Sequence, residues 1–327
     1  MIEVSRVKFF AIALFVAAHS IFGQIDPAPK PSPAPVTAIN DILDKAEAQS
    51  RVYREAFRNL LAKEEKSFEI FDKKGEIKKR KTVTSNFIVY QLSRDAGVIS
   101  EFRNVIAVDG KVLEKADTRA QDFFEKIAGA ETSGKERLEI INESLRFDEE
   151  ILINGMTLFE AMALAPNLRP FFEFTIEGKQ VVDSADVYVI AYRQTRASPD
   201  ITVNTKINVP VSAERVTLNF EVETDRDVTL NERMRGKFLI DAATFQLWRE
   251  EREITVQPDE FTTPLVVVRE DFDFQKSDFG LLVPKKITHT HYRAKIREKS
   301  AVKEAQVTFA YSKFTKPDVE VKAGEVK

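Results

Sequence analysis

The sequence predicts an α+β fold built around one large antiparallel sheet, and three observations predict it. One amphipathic helical pattern opens the folded part. Strand-like segments with strict alternation and short turns fill both halves of the chain after that helix. A helix-forming block interrupts them in mid-chain. A length of 327 residues would suggest two domains, but antiparallel sheets of this size commonly form one.

The opening helix covers 39–62. Asn40 or Asp41 can cap it, and Ile42, Leu43, Ala46, Val52, Tyr53, Ala56, Phe57, Leu60 and Leu61 recur at three- and four-residue spacing. "KSFEIFD" and "EIKKRKTVTSNFIVYQL" flank "DKKGE" as a hairpin, and "VISEFRNVIAV" runs into a second turn at "DGK". The middle block predicts helices over 117–128, 133–147 and 157–165, with Pro166 and Pro170 closing the last. From 171 onward strands return. In "RVTLNFEVE", Val216, Leu218, Phe220 and Val222 alternate with Thr217, Asn219, Glu221 and Glu223, so one face is buried and one is wet. Alternation and turn signals together give about eleven strands, with the helices against one face of the sheet.

Beyond this domain, 37–315, the ends have other characters. Residues 1–23 read as an export leader, with Arg6 and Lys8 ahead of the apolar run "FFAIALFVAA" and small residues at Ser20 and Gly23 for cleavage. The run is shorter than the roughly 20 apolar residues a membrane-spanning helix needs. Residues 24–36, with "DPAPKPSPAP", form an extended proline-rich spacer, and 316–327 a charged flexible tail. The expected location is periplasmic or secreted.

The chain has no cysteine, which excludes disulfides, thiolate metal sites and cysteine nucleophiles. Its net charge is −3, and −4 without residues 1–23. Charges of both signs are interleaved, with no basic stripe for a nucleic acid.

His289 and His291 in "ITHTHYR" share one face of a strand, as two zinc ligands would. Completing the set would require carboxylates such as Glu270, Asp271 or Asp273, and nothing in the spacing brings them together, so the pair reads first as polar side chains on a wet face. No nucleophile elbow, zinc-protease helix or phosphate-cradling glycine loop occurs. No cofactor is implied.

The apolar residues say more. Phe123 and Phe124 sit on one predicted helix, and Leu158, Phe159, Met162 and Leu164 line the next, just before "RPFFEF". Phenylalanine and flexible methionine suit an adaptable apolar pocket under a lid, or an ordinary helix-on-sheet core. These six residues are the candidate ligand-binding set.

The layout resembles the Lol-type periplasmic lipoprotein carriers. The resemblance is carried by "GKFLIDAATFQLWREEREI", with Gly236, Phe238, Ile240 and Asp241 at family-like positions, and by "GLLVPKKI". It implies a half-open β-barrel whose concave face, covered by the mid-chain helices, binds acyl chains. The stretch 197–225 is extra material relative to those carriers. The expected function is therefore a non-catalytic, exported binder of a lipid or acyl chain. The alternative is a module that meets an envelope protein while its own helices fill the cavity. A metal-dependent hydrolase using His289 and His291 is the third expectation.

Overall fold

The computed structural model describes residues 36–316, apart from 59, 93–98, 150–152, 154, 155, 159, 204–217, 221, 223, 225–229 and 260. The leader, the tail, nearly all of the spacer, Phe159 and much of 197–225 lie outside the described residues.

Helix α1 spans Val36–Phe57, and its apolar stripe of Ile42, Leu43, Ala46, Tyr53 and Phe57 is buried against the sheet. Strands β1 (Leu61–Phe71) and β2 (Ile77–Gln91) form the first hairpin. Asp72 shapes its turn by accepting from the Lys74 and Glu76 amides at 2.8 and 3.0 Å, with Gly75 at φ 81°. β3 (Ile99–Val108) and the short β4 (Lys111–Val112) come next, then α2 (Ala116–Ala128) and α3 (Ser133–Ser144). Thr132 caps α3 by accepting from the Lys135 amide. The chain continues through β5 (Phe172–Val182), β6 (Ala185–Gln194), β7 (Ile201–Val203), β8 (Leu218–Phe220), β9 (Leu230–Asp241), β10 (Leu247–Pro258), β11 (Leu265–Lys276), β12 (Leu282–Lys295) and β13 (Ser300–Thr315). None of the described helices is long and apolar enough to cross a membrane.

The helix expected over 157–165 does not form. Three short 3-10 turns stand there and just after, Met156–Leu158, Met162–Leu164 and Arg169–Phe171. Ala161 lies at φ 50°, a left-handed conformation that stops an α-helix, and its amide donates to the Glu250 carboxylate instead of to a helical carbonyl. A side chain on the sheet has taken the donor that a helix would have used.

Eleven strands form one sheet in the order β4-β3-β2-β1-β13-β12-β11-β10-β9-β6-β5, every pairing antiparallel, and β7 and β8 form a separate parallel pair. The sheet is open and neither closed nor strongly curled. Its ends, β4 and β5, do not pair, and without a strong curl the half-open barrel implied by the resemblance is not formed. One end is covered rather than joined. Ser144 of α3 accepts from the Arg103 amide at 3.2 Å and donates to the Glu101 carbonyl at 3.1 Å, occupying the backbone groups of β3 that a further strand would need. The helices are accordingly divided. α2 and α3 pack at β3, where Phe102 meets Phe123 and Phe124. Among the described helices, α1 and the 3-10 turns of the 156–171 segment are the ones that pack on the face that carries the main core, correcting the single helical block expected there.

The cross-strand register places Tyr192, Gly236, Arg252, Glu270, His289, Val307 and Phe68 in one row on that inner face. The opposite face is polar, with Arg235–Glu253, Arg249–Asp273 and Lys237–Glu177 ion pairs. Exposed pairs of this kind contribute about 0–1 kcal/mol each. Gly236 has a specific reason to be glycine. Tyr192 lies over it, stacked on Phe238 at 4.5 Å, and a Cβ there would come 2.5 Å from the Tyr192 hydroxyl and 2.0 Å from the Glu251 carbonyl. Gly236→Ala is therefore expected to lower stability by about 1–3 kcal/mol, read as a lower urea midpoint. An unchanged midpoint would mean that Tyr192 moves aside at no cost.

Candidate functional site

The inner face is largely apolar but contains two ionic networks, each centred on a buried arginine. Arg103 on β3 donates to Glu64 at 2.7 and 2.9 Å and to Glu101 at 2.7 Å. Lys66, on the same face of β1 as Glu64, pairs with Asp148 at 2.6 Å. Burial lowers the Lys66 pKa and raises that of Asp148, so each is pushed toward its neutral form. Arg252 on β10 donates to Glu250 at 2.9 Å and to Glu270 at 2.8 Å. Burial opposes its charge, but Glu250 and Glu270 outweigh that and raise its pKa. Burial raises the Glu250 pKa, against the pull of Arg252. Burial also pushes Glu270 up, but Arg252 and then His289 pull harder and leave it lowered.

Both networks reach beyond the sheet to hold the 156–165 segment. Glu101 accepts from the Thr157 amide at 2.9 Å and from its hydroxyl, and Glu250 accepts from the Ala161 amide at 2.7 Å and from the Tyr192 hydroxyl at 2.8 Å. α1 holds the same segment from above. Tyr53 donates to the Thr157 carbonyl at 2.8 Å, and Ser50 donates to Glu160 Oε1 at 2.7 Å.

Between α1, this segment and the β9–β10 turn lies a small cavity of about 30 Å³. Ala46, Leu164, Ile240, Leu247, Phe274 and Leu282 make it apolar, and Gln49, Ser50 and Glu160 give it a polar end. Glu160 is 2% exposed, and its Oε2 has no hydrogen-bond partner among the described residues. Burial pushes its pKa up to about 8 even though Arg54 stands 3.7 Å away. A second, open trough of about 370 Å³ lies against the β5, β6, β9, β10 and β11 strands, lined by paired charges including Arg193, Arg235, Glu253 and Arg269.

The six candidate residues do not share one site. Phe123 and Phe124 belong to the cluster at β3 with Phe102 and Ile140. Met162 and Leu164 are buried beneath α1 with Ile42, Leu43 and Phe238. Leu158 ends the first 3-10 turn, and Phe159 lies outside the described residues. Sequence reasoning passed over Ser50, Glu160, Glu250 and Arg252. Only Glu160 carried a signal, as the single charge within the apolar run 157–165.

The two histidines each meet one carboxylate. His289 Nδ1 is 3.0 Å from Glu270 Oε1, and His291 Nδ1 is 3.4 Å from Glu304 Oε2. Asp271 and Asp273 turn to other partners, Arg269 and Arg249. Among the described residues no group of three or more His, Asp or Glu side chains is placed to hold a metal ion.

No protein-family model and no curated protein sequence matches the chain. Its fold distantly resembles several solved structures. A LolA superfamily protein from Nitrosomonas europaea aligns at TM-score 0.34 and 10% identity, over 86% of this chain and 95% of that one. A DUF1329 family protein from Desulfovibrio piger aligns at 0.31 and 9% identity, over 87% and 95%. An outer membrane lipoprotein-sorting protein domain from Vibrio parahaemolyticus aligns at 0.30 and 9% identity, over 85% and 94%. At these scores the likeness is one of layout and assigns no ligand to this chain.

The Glu160 shift has a definite consequence for stability. An acid whose pKa rises from the ordinary 4.5 to about 8 on folding keeps its proton in the folded state while the unfolded chain has lost it. Folding stability from this group is thus lost as pH rises across that window, at up to about 1.4 kcal/mol per pH unit. Glu160→Gln is expected to gain on the wild type in urea unfolding by an amount that grows with pH between those values. A difference independent of pH would show that Glu160 is ionised throughout.

Proposed function

We propose that this chain is an exported, non-catalytic protein that binds an apolar ligand, an acyl chain or lipid, between the inner sheet face and the segment that covers it. One observation carries the reading. The 156–168 cover is built from small and flexible apolar residues in irregular turns. Met156, Ala161, Met162, Ala163, Leu164, Ala165 and Leu168 are all buried, yet no α-helix locks them together. Methionine and alanine in short turns can repack around a guest more cheaply than a regular helix can. The surface beneath carries Met234, Phe238, Ile240 and Ile254, all fully buried, on either side of the Glu250–Arg252 pair. An acyl chain that displaced part of the cover would regain about 0.8 kcal/mol for each buried methylene. The export leader read from residues 1–23 supports a periplasmic or secreted location.

The small cavity volume favours a second reading. At about 30 Å³ the space admits a water or two and no acyl chain unless the cover moves. A protein of this kind could act as an envelope binding module with no guest of its own.

Native mass spectrometry of the mature chain, purified from the periplasm without detergent, separates the two. The lipid reading expects a mass excess of one lipid that disappears on delipidation. The bare polypeptide mass, unchanged after incubation with excess lipid, would overturn it in favour of the binding module.

A further inference from the structure

Three observations meet at Glu160, at the polar end of the small cavity. The first is a directed chain of hydrogen bonds. Arg54 Nη1 donates to Ser50 Oγ at 3.1 Å, and Ser50 donates to Glu160 Oε1 at 2.7 Å. A hydroxyl has one proton to give, so Oε1 is an acceptor and the proton of the neutral acid belongs on Oε2. The second is that Oε2 is buried and makes no hydrogen bond among the described residues. A buried donor left without an acceptor is costly, and native structures seldom tolerate one without a use. The third is the lining itself, since Glu160 and Ser50 share the cavity with Leu164, Ile240, Phe274 and Leu282. A polar donor at one end of an apolar lining is the arrangement an amphiphile fits.

The charge around the acid narrows the choice of head group. Arg54 on α1 stands 3.7 Å from Glu160. Tyr53, on the same helix, and Glu250, on β10, are the other titratable groups whose charges are felt there or that feel the acid. Glu250 has its own partner in Arg252. Burial of Glu160 in this lining holds it neutral up to about pH 8, which leaves Arg54 facing an uncharged partner. An anionic acceptor at Oε2 would complete the donor and supply the counter-charge together.

We propose that Glu160 is the polar anchor of the acyl-chain site, donating its acid proton to the carboxylate head of a free fatty acid whose tail displaces the cover around Leu164. The proposal rests on the apolar-ligand reading and names the ligand class of that site. No bond is made or broken. The proton stays on Glu160 and is shared with the ligand carboxylate, with Arg54 balancing the charge.

The test titrates the full mature chain with palmitate and with methyl palmitate at about pH 6.5 and about pH 9, on either side of the Glu160 ionisation. Wild type is expected to bind palmitate at least tenfold more tightly than the ester at the lower pH. That preference should vanish at the higher pH, where two carboxylates would repel. Glu160→Leu is expected to lose about tenfold or more for palmitate and little for the ester. Glu160→Gln retains a donor without an ionisation, so its palmitate affinity should stay level across the same range. Circular dichroism of both variants checks that the sheet is intact, and the wild-type pH profile stands even if one variant fails to fold. Equal affinity for acid and ester, with no change at high pH, would overturn the anchor and leave the apolar-ligand reading standing. Binding of neither probe would overturn the anchor, and the lipid incubation above then decides the apolar-ligand reading separately.

Discussion

The guanidinium group of Arg252, buried at 1% exposure in the middle of the sheet, is the constraint on which the rest of this structure depends. A charge removed from water is tolerated only when opposite charges and hydrogen bonds surround it. Glu250 and Glu270 supply these from the same and the neighbouring strand, and the ring of Phe272 lies 4.8 Å beneath it. Removing one partner from such a group costs about 3–5 kcal/mol, because the others remain buried and unpaired. Arg103 repeats the arrangement near the β3 edge with Glu64 and Glu101. The sheet therefore presents two carboxylates whose outward oxygens still accept. The 156–165 segment meets both, through Thr157 and Ala161.

That contact explains the local backbone. A run of Leu, Phe, Ala and Met in 157–165 has good helix formers, and in isolation its spacing favours a helix. Glu250 takes the Ala161 amide, which a helix would have given to the Thr157 carbonyl, and Tyr53 takes that carbonyl, so the chain makes a left-handed turn at Ala161 instead. The turn in turn sets Glu160 facing α1, where Ser50 and Arg54 wait one helical turn apart. Cover, cavity and buried acid are thus consequences of where two arginines sit on a sheet.

Much of this architecture was legible in the sequence. The stripe of α1 from Ile42 to Phe57 and the hairpins β1–β2 and β9–β10 come from period and turn signals, because burial on one face selects apolar side chains at fixed spacing, whereas Leu60 and Leu61, expected on the helix, fall beyond its end. The "DKKGE" turn was legible from Asp72 and Gly75. The ionic networks were not. In "REERE" charged residues occupy both faces of β10, and alternation of polarity, the only signal available, is silent there. The division of the helices was equally hidden. Phe123, Phe124 and Met162 read alike as apolar helix positions, but which of them meets the inner face depends on Ser144 docking α3 to the edge of β3. The curl of the sheet came from resemblance rather than from residues, and it is the part that the open, weakly curled sheet corrects.

The central claim, that carboxylates of the buried networks pin the cover to the sheet, is tested most directly by amide hydrogen exchange at Thr157 and Ala161. Glu250 holds only the second of these, and Glu101 only the first. Glu250→Ala is therefore expected to speed exchange at Ala161 by about tenfold or more relative to exchange at Thr157. Equal acceleration at both amides, or none at Ala161, would contradict the account.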